Sequence, residues 1–201
     1  MARRSDHSRD ELRQLALDAA QFIIEAQGLS ALSARKVAGR IGYTVGTLYR
    51  VFAHLDDLIT QVNTRTLAEL NATLDRAAAN CRDPEGGVRA VTHAYIDFAI
   101  RDTPRWSALY EHGIEADIRL PDDYRQQIAS MYGRLEGLLK TVAPQRSPAD
   151  LAREARALWG GVQGVCMLAL SDKLDIESIE SLPELADHLV TTYVSGLRAG
   201  H

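Results

Sequence analysis

Apolar residues recur every third or fourth position almost throughout this chain, while Val, Ile and Thr stay scattered and no turn dipeptide separates alternating runs. The pattern predicts helices and no sheet, an all-α fold of about nine helices. The first helix opens at Ser8, with Glu11 three residues on in the Ser-x-x-Glu arrangement that satisfies helix-start amides reciprocally. Its inward stripe reads Leu12, Leu15, Ala19, Phe22, Ile23 and Ala26, and it stops at Gly28. Ser33 caps a short helix to Ile41, Gly42 turns the chain, and Thr44 caps a third helix through Tyr49. A fourth starts within His54 to Asp57 and runs to about Cys81, a fifth spans about Pro84 to Asp102, and a sixth begins at Pro104. Pro121 to about Val142 is a seventh, about Ala149 to Lys173 an eighth, and Pro183 to about Arg198 a ninth.

Between Val37 and Val51 the residues meet the steric demands of a helix-turn-helix. Ala38 is small enough for two helices to cross closely, Gly42 can take the left-handed backbone of the turn, and Val37, Ile41, Tyr43, Val45 and Leu48 supply apolar contacts. The third helix would lie in a major groove with Thr44, Val45, Thr47 and Tyr49 as its outward candidates. The chain therefore divides into a three-helix DNA-binding head, residues 1–55, and a helical regulatory and dimerisation body, residues 56–201, joined through the fourth helix.

Gly28-Leu29-Ser30 and the run LSARKVAGRIGYTVGTLYRVFAHLDDLI resemble the DNA-binding head of the tetracycline-repressor family of bacterial regulators over residues 8–62. The resemblance implies that Gly46 to Tyr49 belongs to the recognition helix and that Tyr49 reaches the DNA backbone. It also marks two departures, Val51 where many members carry His and Leu55 where many carry Lys; neither can donate to phosphate. Part of the backbone contact is therefore missing or falls to Arg50, His54, Arg35, Lys36 or the arm Arg3-Arg4.

In the body, Leu151, Leu158, Val162, Val165 and Leu168 form one apolar stripe and Leu185, Leu189, Tyr193 and Leu197 another. Two such helices stacked on the same pair of a second copy make a four-helix dimer interface, although both stripes could equally serve the chain's own core. The segment ALWGGVQGVCMLAL resembles the C-terminal domain of a subgroup marked by Trp followed by His-Gly, here Trp159, Gln163 and Gly164, with Gln in place of His. Gly160, Gly161 and Gly164 each weaken a helix by up to about 1 kcal/mol relative to Ala, so another helix or a ligand should approach that face. Candidates for an effector pocket are Tyr95, Phe98, Trp106, Tyr110, Met131, Trp159, Gln163 and Met167, which could equally be core.

Charge sharpens this division. Residues 1–50 hold eight Lys or Arg against five acids, +3, and the overall −4 leaves −7 for the rest, the asymmetry of a phosphate-facing head on an acidic body. The two cysteines, Cys81 and Cys166, match no metal or redox spacing. No apolar run could span a bilayer, and Met1 to Arg13 is charged and lacks a secretory stretch, so a cytoplasmic, membrane-free protein is expected. His93 and Asp97 share a helix face, and Glu111, His112, Glu115 and Asp117 cluster, but neither set has a metal-ligand pattern. With no phosphate loop, nucleophile elbow or Cys/His frame either, no catalytic residue, metal or cofactor is assigned. The expected function is that of a homodimeric repressor on a palindromic operator, released by a small, largely apolar effector. The alternative is a ligand-independent DNA-binding or protein-interaction module.

Overall fold

The computed structural model describes residues 7–81, 83–113, 120–171, 173–174 and 181–199, so Arg3, Arg4, Glu115 and Asp117 lie outside the described residues. Among those described there are nine α-helices, a 3-10 turn at Leu29–Ala31 and no strand. Two compact units emerge from the packing: the described residues of Met1–Thr66 with Pro104–Tyr124, and those of Leu67–Thr103 with Arg125–His201. These units are drawn by packing, so their boundaries cut through three helices and differ from the division at 55/56 expected from the sequence.

In the first unit, α1 (Arg9–Gln27) starts with the expected reciprocal cap: the Glu11 amide donates to Ser8 Oγ and the Ser8 amide to Glu11 Oε2. The Ser8 amide foremost, and the Ser8 hydroxyl after it, hold the Glu11 carboxyl below the usual glutamate range. Its buried stripe is Leu12, Ala16, Leu17, Ala19, Ala20, Ile23 and Ile24, which corrects the sequence expectation at Phe22 and Ala26, both exposed. Phe22 lies roughly a third of a turn from the line through Ala16, Ala20 and Ile23. It is 46% exposed, with the Arg40 guanidinium 3.5 Å from its ring centroid. The small alanines, not the aromatic, are what allow neighbouring elements to approach α1.

Ser33 caps α2 (Ala34–Ile41), and Gly42 ends it at φ 75°, a left-handed conformation that a side chain would strain. Thr44 caps the four-residue α3 (Val45–Leu48), and Val37, Leu48, Val51, Phe52, Leu58, Ile59 and Val62 close the head core. Helix α4 (Leu55–Ala79) is capped by His54, whose Nδ1 accepts the Asp57 amide at 3.0 Å. From α6 (Thr103–Glu111), Ala108 joins this core and its carbonyl accepts from Asn63 Nδ2 at 3.1 Å.

The second unit contains α5 (Pro84–Arg101), α8 (Pro148–Leu170), α9 (Leu182–Ala199), most of α7 (Asp122–Val142) and the later turns of α4. Asp83 caps α5 and Ser147 caps α8, each accepting from a first-turn amide. A Cβ at Gly87 would come within 2.8 Å of Leu138 Cδ2, so α5 meets α7 at a point where only glycine fits without a shift. Helix α9 buries Leu182, Ala186, Val190, Val194 and Leu197. The sequence stripe Leu185, Leu189 and Tyr193 sits on its half-buried flank instead, because α9 packs against both α5 and α8 and turns its centre line toward the groove between them. Tyr193 donates its hydroxyl to the Glu154 backbone carbonyl and carboxylate, and burial together with that carboxylate pushes the phenol upward.

Candidate nucleic-acid interface

The interface is built on a very short helix that cannot be stable alone and is held by its ends. Thr44 Oγ1 accepts the Thr47 amide at 3.2 Å and lies 3.0 Å from Thr47 Oγ1, so both threonines are tied into the turn that starts α3. Leu48 is 1% exposed and anchors α3 to the head core. Beyond it the chain stays coiled, with Val51 and Phe52 amides donating to the Leu48 carbonyl. Tyr49, 44% exposed, and Arg50 are thereby turned outward, whereas Val45 and Thr47 are half-buried.

Arg35 and Lys36 are exposed at the first turn of α2, where Lys36 Nζ donates to Gln27 Oε1 at 3.1 Å. His54 is exposed, with one ring nitrogen committed to the α4 cap. Val51 is buried and Leu55 packs half-buried against the same core, so both positions serve packing here.

Beside the recognition turn lies a cleft of about 520 Å³ lined by His7, Ser8, Arg9, Leu12, Thr47, Arg50 and Val51. Arg9, at the N-terminal end of α1 where peptide dipoles favour an anion, thus lines the same cleft as Arg50. Sequence reasoning counted Arg9 only as head charge and passed over His7, whose Nδ1 lies 2.8 Å from the Tyr43 hydroxyl. Their sole signal was position at a helix start, since nothing in the sequence tells which later residues α1 faces.

The eight effector candidates fall into two groups. Tyr95, Phe98, Met131, Trp159, Gln163 and Met167 belong to the second unit, where Tyr95 and Trp159 meet edge to face at 4.6 Å and both are buried. Gln163 is half-buried with Nε2 3.7 Å from Met167 Sδ, and Met167 is 45% exposed. Trp106 and Tyr110 belong to the first unit and form their own edge-to-face pair at 5.2 Å. His93 turns from Asp97 to Asp187 of α9, its Nε2 2.8 Å from Oδ1. Among the described residues no helix is long and apolar enough to cross a membrane.

Comparison with known proteins agrees with both halves. Residues 16–62 match the model of bacterial regulatory proteins of the tetR family, and residues 88–193 match the tetracyclin repressor-like C-terminal domain. The nicotine-responsive transcriptional repressor HdnoR of Paenarthrobacter nicotinovorans is 26% identical over 90% of this chain and 93% of its own length. A TetR-family transcriptional regulator from Streptomyces coelicolor superposes with a TM-score of 0.67 at 23% identity, over 93% of this chain and 99% of that one. The regulator FadR from Bacillus subtilis, solved with stearoyl-CoA, gives 0.70 at 14% identity over 91% and 98%. With a matched head that contains the capped recognition turn, and a matched body that covers more than half of the chain, this chain belongs to the tetracycline-repressor family of DNA-binding transcriptional regulators.

Proposed function

We propose that the protein is a cytoplasmic homodimeric repressor that occupies a palindromic operator and is released by a small, largely apolar effector. The observation that carries the DNA half is the outward pair Tyr49 and Arg50 on a turn anchored by Leu48 and capped by Thr44. Thr47, and the half-buried Val45 in part, face base edges. Tyr49, Arg50, Arg35, Lys36 and His54 serve the backbone, joined by Arg9 across the cleft.

Dimerisation through α8 and α9 is supported by one face of α8. Ala157, Gly160 and Leu168 are exposed along it, and a Cβ built at Gly160 or Gly164 would meet nothing within 4 Å. Gly161 differs, because its Cβ would come within 3.1 Å of Leu189 Cδ2 on α9. The glycines that weaken α8 with no neighbour for a Cβ among the described residues are accounted for by the backbone of a second copy. Responsiveness to an apolar effector is supported by the aromatic cluster of Tyr95, Tyr132 and Trp159, by a relative whose name records a response to nicotine, and by a like-folded regulator that holds stearoyl-CoA. Release would proceed through a displacement of α4 that alters the separation of the two recognition helices.

The test is selection of duplexes from a random library by the full-length protein, followed by titration. Tyr49→Ala should weaken binding to selected and random duplexes alike, and Thr47→Ala should change which sequences are preferred. Enrichment of no sequence by the wild type would overturn the proposal.

A further inference from the structure

We infer that Arg13 is a positioning residue for DNA recognition, which locks the exit of the recognition turn to α1 and to the first turns of α4. The inference rests on the DNA-binding reading and adds a residue that the basic count of the head assigned to no role.

Arg13 is half-buried on α1, and its two terminal nitrogens are both engaged. Nη2 donates to the Val51 carbonyl at 2.8 Å and Nη1 donates to Gln61 Oε1 at 2.8 Å. Gln61 Nε2 in turn donates to Asp57 Oδ1 at 2.7 Å, and the other Asp57 oxygen accepts the Ala53 amide at 2.9 Å. The guanidinium carbon stands 5.2 Å from the centroid of Phe52. Val51, Phe52 and Ala53, the three residues that lead out of the recognition turn, are thus each touched by one connected network.

The Val51 carbonyl lies past the end of α3, where no further helical turn supplies it with an amide. A planar fork of donors at fixed angles can hold that carbonyl and the Gln61 amide oxygen at once, which a single ammonium point charge on a flexible stem cannot do with the same geometry. Val51 and Phe52 amides bond back to Leu48, so the height of this exit segment sets the pitch of Tyr49 and Arg50. Gln61 and Asp57 belong to α4, so a displacement of α4 reaches the recognition turn through two hydrogen-bonded links.

A phosphate contact and a positioning contact differ in their salt dependence. Removing a phosphate contact lowers the slope of log affinity against log salt by roughly 0.9. Removing a positioning contact leaves that slope unchanged and lowers the ratio of specific to non-specific affinity.

The experiment uses full-length protein, a duplex of about 30 base pairs selected by the wild type, and an unrelated duplex of equal length. Arg13→Lys, which keeps the charge and loses the fork, should lose at least about tenfold in the specificity ratio at unchanged salt slope; Arg50→Met, the comparison, should lower the slope. Gln61→Met, which leaves Arg13 in place, should move the ratio in the same direction, and decides the matter if the Arg13 variants melt early. An unchanged ratio in Arg13→Lys and Gln61→Met, or a slope lowered by roughly 0.9 in Arg13→Met, would overturn the inference while leaving the DNA reading intact. A wild type that enriches no duplex would overturn both.

Discussion

Replacing Gly160 and Gly164 together by alanine separates two energies of opposite sign. Among the described residues of one chain the new methyl groups meet nothing within 4 Å, so their effect there is on the helix, and alanine favours a helix interior by about 0.8–1.0 kcal/mol per site over glycine. The isolated protomer should therefore gain up to about 2 kcal/mol, provided the two contributions add. If a second copy packs its backbone on this face, the same methyls push the partner helix away, and the dissociation constant should rise at least tenfold, about 1.4 kcal/mol. Leucine at both positions should raise it at least a hundredfold. Sedimentation equilibrium over a concentration series reads the dissociation constant, and urea unfolding at a concentration where both proteins are monomeric reads the gain in the protomer. Gly161→Ala is the internal control: its Cβ would press on the flexible end of Leu189, so it should shift protomer stability slightly and the dimer hardly at all. A double-alanine variant that gains the full helix energy and dimerises with unchanged affinity would show that the face is solvated, and the dimer assignment to α8 would fall.

Three further outcomes follow from the described contacts. Thr44→Ala removes the cap of a four-residue helix and should cost about 1 kcal/mol in urea unfolding, while Leu48→Ala, which empties a fully buried position on the same turn, should cost about 2–5 kcal/mol; equal small losses would mean that the turn is not seated on the head core. Because the Glu11 carboxyl is held below its ordinary range by Ser8, its contribution is present above the unfolded glutamate range and lost as pH falls through the folded value. The stability difference between wild type and Glu11→Gln should accordingly shrink as pH falls, and a difference that grows toward acid pH would refute the cap. Burial pushes the Cys166 thiol up to about 12, so at pH 8 a maleimide should label half-buried Cys81 in the folded protein and reach Cys166 only after denaturation; prompt labelling of Cys166 would contradict its burial.

What the sequence alone determined is what depends on neighbours along the chain. Ser8, Ser33 and Thr44 cap their helices because a side-chain oxygen meets an amide two or three residues on, a geometry that needs no tertiary partner. Gly42 could be read as a turn for the same reason, and the helix-turn-helix followed from those local signals together with the apolar offsets between them. Which side of each helix is buried was decided only by the tertiary structure. Periodicity tells that a stripe exists but leaves its centre uncertain by one position, and that margin put Phe22 inside, where it is exposed. Arg13 was legible only as one more positive charge, since its partners Val51 and Gln61 lie 38 and 48 residues away and are brought to it by the crossing of α1 with the segment after α3. A charge becomes a phosphate contact or a bracket according to whether its donors are already engaged, and that depends on distances between residues remote in sequence, which no local pattern encodes.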